Sequence, residues 1–435
     1  MEKEEVLSEE ERSRVVELLH TCFRDVDDFE KNVTYKFVVQ SNSKSFWSKV
    51  IRVHLDWKNE QLAKIHPKSI FMKIPRISDN VKNVDNKDYT EADETKDAEV
   101  LLTLTKYEVS WYQCYGHDNI PHFPMPKFYG AEDVTEPGTG ILALEDLTDR
   151  VKAMELFPGF SITQLERIMD ALAGFHYHFI SKKDQSWVPQ FDRTSEIDGE
   201  FQDLQFDTAM VFENLRPDLF KGKITAMKEY FSIEAAINAQ YSFEELDVPP
   251  VLVHFDMNPT NLLWDPDFSK LVAVIDFQLL HVGNFAEDIA RILMLTMTRQ
   301  QRWKNTDLCE TNDYVDEQGV PTCSCPGIIL EDDVVLNSHS SLFQVHEAYD
   351  RIFVFSWNFA IFAMGVYYNM YKNLEKDDAK LAEIRDEIID RAYGTVVDVE
   401  RLLHSRRSQK SDRNEVKGSK ASPCTILKNH EDTVV

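Results

Sequence analysis

The stretch that decides the fold is VLVHFDMNPTNLLWDPDFSKLVAVIDFQ, residues 251–278. An apolar run, Val251-Leu252-Val253, stops at His254, and a carboxylate, Asp256, follows at once. Pro259 and the carboxamide of Asn261 come next, before a second apolar step at Leu262-Leu263-Trp264. A third run, from Leu271 to Ile275, ends in Asp276. Apolar runs of this kind read as buried strands. A carboxylate at the end of one is costly to bury unless it meets a cation. The segment DPDFSK has turn chemistry. The pattern predicts a hairpin-like arrangement of 249–253 with 271–275 that brings Asp256, Asn261 and Asp276 together. One carboxylate, Asp276, and one amide oxygen, on Asn261, make a hard donor pair suited to magnesium, which keeps waters and binds substrate phosphates. Asp256 is then free to orient or deprotonate a hydroxyl.

Composition narrows the classes. A chain of 435 residues, 43% of them apolar, can bury a core for two or three domains or for one large two-lobed enzyme. Its 48 basic and 75 acidic residues give a formal charge of −27. Such a field repels nucleic acid and anionic lipid, so no nucleic-acid partner is expected and an anionic ligand needs a local cationic site. The six cysteines are scattered, and the opening MEKEEVLSEEERSR is acidic without an apolar core. Reduced thiols and a cytoplasmic location are the expectation. The run IFVFSWNFAIFAMGVYYNM, 352–370, approaches the length of a membrane span, but Ser356, Asn358 and several tyrosines interrupt it. It reads as a buried core helix, and no membrane span is expected.

Upstream, Ile51, Val53, Leu55 and Trp57 alternate with polar residues, and Ile70, Met72 and Ile74 alternate with Phe71 and Lys73. Both patterns predict strands with one buried face. The polar stretch 79–99 reads as a loop leading into a helix over about 97–115, and 140–147 as a further strand. Ser161 and Gln164 stand at capping-box spacing before a helical stripe of Ile162, Leu165, Met169 and Leu172. His176 and His178 on that helix read as core or surface residues rather than ligands.

The spacing H-x-D-x₄-N, followed by an apolar strand ending in Asp, resembles the catalytic core of the eukaryotic-like kinase superfamily. Gln278 stands where protein kinases have glycine, no A-P-E segment follows, and the helical EDIARIL arrives at once. That compact arrangement resembles the aminoglycoside and choline kinase branch. Within it, HFDMNPTNLLW, VIDFQLLHVGNFAEDIARIL and LALEDL are similar to the CHK kinase-like family, which includes ecdysteroid-kinase-like proteins and a nematode group of the DUF1679 type. The resemblance covers about 30–400. It implies an α+β, two-lobed protein-kinase-like fold. The N-lobe, 30–144, would be an antiparallel sheet with one long helix, and the C-lobe, 145–405, mainly helical. An acidic helical segment, 1–29, would precede them and a disordered tail, 406–435, would follow.

The resemblance further implies phosphorylation of a hydroxyl on a small molecule, with ATP and Mg2+ as cofactors. The acceptor could be a steroid, a choline-like amine or another metabolite. The alternative is a degenerate kinase fold used as a binding or scaffolding module. In the family a strand lysine pairs with a helix glutamate. Lys73 stands in IFMKIP, and Glu108 interrupts the apolar stripe of Leu101, Leu104, Trp111 and Tyr115. The pair would hold the lysine against the α- and β-phosphates. LALEDL would be the hinge, with backbone groups near Glu145 and Leu147 meeting the adenine edge. His254 reads as a brace of the catalytic loop by hydrogen bonding rather than an acid, and Asp288 as an anchor of that loop from the following helix. Three features depart from the family: VVQSNSKSFWSKVIRV has no glycine where the nucleotide loop should be, Phe255 replaces a glycine and Phe277 a tryptophan. The glycine-free loop favours the alternative reading. Residues 309–325, with Cys309, Cys323 and Cys325, read as an insertion rather than a zinc site. The ending DTVV, with Thr433 and Val435, resembles a PDZ-binding terminus.

Overall fold

The structure is a computed structural model that describes residues 7–40, 47–78, 81, 90–197, 199–304, 314–315, 321–322, 342–372 and 379–415. Its first part is a five-stranded antiparallel sheet. The strands are β1 (Val33–Val39), β2 (Ser48–Trp57), β3 (Ser69–Pro75), β4 (Phe128–Ala131) and β5 (Leu142–Glu145), in the order β1-β2-β3-β5-β4. The predicted alternation of β2 and β3 holds. Ile51, Val53 and Leu55 are buried on one face with Ile70, Met72 and Ile74. Helix α1 (Glu9–Cys22), opened by a Ser8–Glu11 capping box, packs Val15, Leu18 and Leu19 into the same cluster. Glu11 also accepts from Lys49 at 2.7 Å, and Arg14 pairs with Glu132 at 2.6 Å. The acidic first segment is therefore built onto the N-lobe sheet. On the opposite face Val50 lies across from Lys73 and Arg52 across from Phe71, so these four share the side that Lys73 presents to the cleft.

Helix α2 runs Glu91–Tyr115 and begins six residues before the expected 97. Thr90 caps it, with a reciprocal bond from Asp93, and Glu91, Asp93 and Glu94 complement the positive helix end. A first turn made of charges carries no apolar period, so the sequence concealed it. Strand β5 is shorter than the expected 140–147 and stops at Glu145.

The second part is mainly helical. Helix α3 (Ile162–Ile180) starts at the predicted Ser161–Gln164 capping box and buries Leu165, Met169 and Leu172. Five short strands follow Leu147: β6 (Lys152–Ala153), β7 (Val251–Val253), β8 (Leu262–Trp264), β9 (Leu271–Val274) and β10 (His281–Gly283). Here one expectation is corrected. The turn at 265–270 joins β8 to β9, with Leu262 opposite Val274, while β7 pairs with β10, Leu252 opposite Val282. So 249–253 and 271–275 do not form one hairpin. They belong to two small sheets, order β10-β7 and β6-β8-β9.

Helices α4 (Ala286–Thr296), α5 (Leu342–Lys372) and α6 (Ala379–Glu415) close the C-lobe. The span Glu347–Lys372 is long and apolar enough to cross a membrane, but 72% of its apolar window is buried inside the protein. Trp357, Ala360, Ile361 and Met364 are core residues there. Arg391 of α6, fully buried, donates to the carbonyls of Leu156 (3.1 Å) and Leu295 (2.7 Å) and so ties α6 to the start of the lobe and to α4. Helix α6 extends to Glu415, past the expected start of the tail at 406. The remaining tail with Thr433 and Val435, nearly all of 309–325 with its three cysteines, and 41–46 of the glycine-free loop lie outside the described residues.

Candidate active site

Lys73 projects from β3 into the space between the lobes. Its Nζ lies 2.8 Å from Glu108 Oε2 on α2 and 2.9 Å from Asp276 Oδ1 just after β9. Burial alone would make Lys73 easier to deprotonate, but the carboxylates of Asp276 and Glu108 outweigh it and hold the ammonium charged. Burial pushes Glu108 up, to about 7, and the charge of Asp276 adds to this. Lys73 pulls it back only in part, because its one charge is shared between two acids. The predicted partnership of Lys73 and Glu108 is present, and Asp276 joins it.

The loop after β7 is fixed from beneath. Both oxygens of Asp288, on α4, accept backbone amides, from His254 at 2.9 Å and Phe255 at 2.8 Å. Burial would raise this carboxyl, but His176, 3.7 Å away, and the His254 amide hold it below the ordinary range. His254 Nδ1 accepts the amide of Asp256 at 3.2 Å, so its proton is on Nε2, which donates to Ile275 O at 3.1 Å. Burial lowers its pKa, in keeping with a neutral brace. Phe277 stacks on Trp111 of α2 and meets the His254 ring at a tilt, 4.7 Å from each. The loop, the Asp276 turn and the N-lobe helix are thus coupled through one aromatic contact.

Asp256 is a quarter exposed. Its Oδ2 accepts from Asn261 Nδ2 at 2.8 Å and its Oδ1 from Asn258 Nδ2 at 3.0 Å. Asn261 Nδ2 also reaches Asp256 O at 3.0 Å. The amide nitrogen is therefore spent, and the carboxamide oxygen is the atom left to ligate a cation. Asn261 O accepts the amide of Ile275 at 3.0 Å, which ties this loop to the approach to Asp276. The Asp256 and Asn261 side chains are thus bonded to each other, and Asp276 follows Ile275, whose amide bonds the Asn261 carbonyl, across two sheets. Among the described residues no group of three His, Cys, Asp or Glu side chains could hold a metal ion alone. One acid and one amide fit magnesium only where substrate oxygens and water complete the shell.

In the segment expected to be the hinge, the Glu145 carboxylate is occupied by Arg150 (2.6 Å) and by the Lys127 amide (3.2 Å). The Glu145 amide donates to Lys127 O at 2.8 Å. Leu147 is buried. Glu145 lies opposite Ile70, three residues along β3 from Lys73, about 10 Å at the rise of a strand. Neither hinge residue bonds to the acids across the cleft.

Arg291 was missed from sequence. Its NH2 is 3.3 Å from Asp256 Oδ1, and its guanidinium lies over Phe359 (3.5 Å) and Phe255 (4.3 Å). Phe255, where the family has glycine, takes φ 66° and serves as a platform for this cation. Burial pulls Arg291 down to about 10, still protonated at neutral pH. Its signal was visible as a lone charge among the apolar residues IARILML.

The DUF1679 family model, described as "Uncharacterized oxidoreductase dhs-27", matches residues 15–310, and the chain belongs to this family. It is 28% identical over 396 residues to "Uncharacterized kinase-like protein D1044.1" of Caenorhabditis elegans, covering 88% of this chain and 98% of that one. It is 23% identical over 263 residues to "Uncharacterized oxidoreductase dhs-27" of the same organism. That match takes in 58% of this chain but 31% of the relative, so the chain spans under a third of it. Solved structures similar to it include small-molecule phosphotransferases. One is a Plasmodium vivax ethanolamine kinase, 11% identical, with 91% of this chain and 90% of that one covered and a TM-score of 0.39. A likeness of that size decides nothing here. The fold is two-lobed and protein-kinase-like: an antiparallel sheet with one long helix, then a mainly helical part, with Lys73 of the first bonded to Asp276 of the second.

Proposed function

We propose that this DUF1679 protein transfers the γ-phosphoryl group of ATP to a hydroxyl of a small molecule, with magnesium. The observation that carries the reading is Lys73, which bridges Glu108 and Asp276 at 2.8 and 2.9 Å beside the Asp256–Asn261 loop. Phosphoryl transfer asks mainly for positioning and charge stabilisation. Lys73, oriented by Glu108, would bind phosphate oxygens. Asn261 and Asp276 would hold magnesium, which neutralises phosphate charge when bound. Asp256 would accept the hydrogen bond of the acceptor hydroxyl and align it. The net charge of −27 makes this local cation the natural site for an anionic nucleotide.

Isothermal titration with MgATP tests the reading directly. Binding that Asp276→Asn weakens, with turnover lost in a folded protein, supports it. Unchanged turnover in that variant overturns the metal assignment. The scaffold reading draws on the glycine-free loop, and an unmutated protein that binds no nucleotide would favour it.

A further inference from the structure

The hinge motif LALEDL contains a second acid, Asp146, whose surroundings are unlike those of Glu145. Its side chain is 1% exposed. Oδ2 accepts from Arg52 Nε and from Ser69 Oγ at 2.5 Å, and Oδ1 accepts the amide of Thr148 at 3.0 Å. Arg52 extends its other arm, NH2, to Asp149 Oδ2 at 2.5 Å. Arg150 bonds Glu145 at 2.6 Å and Asp146 O at 3.3 Å, and the Arg150 amide closes the turn onto Leu147 O at 2.8 Å. Burial would raise the Asp146 carboxyl, but Ser69, Thr148 and Arg52 hold it below the ordinary range.

The donors come from the cleft-facing side of the sheet. Arg52 on β2 lies opposite Phe71, and Ser69 is the first residue of β3, the strand that carries Lys73. A loop leaving the end of a strand would ordinarily be free to vary its distance from the neighbouring strand. Here one buried carboxylate fastens the loop to the strand of the phosphate-binding lysine. Glu145 is already set by its pairing with Ile70 of β3, and the Asp146 clamp carries that fixed distance from Lys73 onward to Leu147.

We propose that Asp146, clamped by Arg52 and Ser69, is the positioning residue for the base of a purine nucleotide. The inference rests on the ATP-binding reading above. Asp146 does not touch the base. It fixes the backbone that does, so that base and triphosphate are gripped from one strand. A ligand with no base should not sense it.

That difference supplies the test. The affinities of MgATP and of magnesium tripolyphosphate are measured by titration calorimetry on the full chain and on Asp146→Ala, Ser69→Ala and Arg52→Lys. Asp146→Ala is expected to weaken MgATP about tenfold, the size of one well-made set of hydrogen bonds, and to leave tripolyphosphate unchanged. Arg52→Lys, which keeps the charge but loses the fork that spans Asp146 and Asp149, should fall between. Equal weakening of both ligands would make Asp146 a general structural residue and overturn the proposal. So would an unmutated protein that binds MgATP no more tightly than tripolyphosphate, although the proposed function would then survive. An unmutated protein that binds neither ends both. Should Asp146→Ala fail to fold, Ser69→Ala carries the test, since it removes one donor from a carboxylate that keeps its others.

Discussion

The two sides of the cleft pair one acid with one arginine in opposite ways. At the hinge Asp146 is 1% exposed and Arg52 20%. At the loop after β7 Arg291 is 1% exposed and Asp256 25%. In each pair the buried member is the post and its partner reaches outward. A buried acid with three donors is closed to a ligand by its burial, so it holds backbone in place. A buried arginine with one acid in reach does the reverse: it leaves the carboxylate at the surface of the cleft with its orientation set. The same ion-pair chemistry thus holds backbone in place on one side and presents a carboxylate on the other.

Exchanging the two acids for neutral residues should separate these roles. Asp256→Asn is expected to lower turnover roughly a hundredfold or more, the scale of a lost general base, and to leave MgATP affinity unchanged because Asn261 and Asp276 remain. Asp146→Ala should do the opposite, weakening affinity far more than the chemical step. Both quantities are read from calorimetry and steady-state turnover on one preparation. Affinity that collapses in step with turnover in Asp256→Asn would make Asp256 a metal or structural residue and dissolve the contrast.

A second variant sharpens the contrast from the arginine side. The Nε and NH1 atoms of Arg291 are buried with no hydrogen-bond partner. Replacing it by methionine removes that desolvation burden, and the partly exposed Asp256 can still reach water. Stability should therefore stay within about 1 kcal/mol, while turnover falls about tenfold as the carboxylate loses its fixed orientation. Thermal melts and turnover together check this. A folded variant with full turnover would show that Arg291 is core packing against Phe255 and Phe359.

The sequence disclosed the parts of this site that follow a period or a motif. Alternation in IFMKIP put Lys73 on the face opposite Ile70 and Met72, and the helical stripe singled out Glu108. The spacing from His254 to Asp276 placed the acids, and the reading of Asp288 as an anchor holds in its two bonds to the loop amides. Pairing of the short strands was not legible. Three-residue apolar runs carry no register information, so nothing in 249–253 distinguished β9 from β10 as its neighbour. Asp146 was hidden for a related reason. In a hinge without periodicity two adjacent acids look alike, and only the approach of Arg52 and Ser69 from distant strands separates the buried one from the exposed one. Arg291 was conspicuous in an apolar helix, yet its partner is 35 residues away in sequence.

The smallest effect concerns the link between the lobes. Lys73 is shared by Glu108 and Asp276, so neither acid has it alone. Removing one should tighten the grip of the lysine on the other. A double-mutant cycle on Lys73→Met and Glu108→Gln should still show a coupling of about 1 kcal/mol in stability, as contacting buried charges do. It should fall short of an unshared buried pair, because in Glu108→Gln the lysine keeps Asp276 as a counter-ion. In Lys73→Met the cost is larger, since two acids then face each other across the gap without a cation. The expected order of melting temperatures is therefore wild type highest, Glu108→Gln next and Lys73→Met lowest, with the double variant recovering part of the loss. Strict additivity would mean that the two side chains do not meet in solution. It would also remove the support for Lys73 as the proposed phosphate-binding residue.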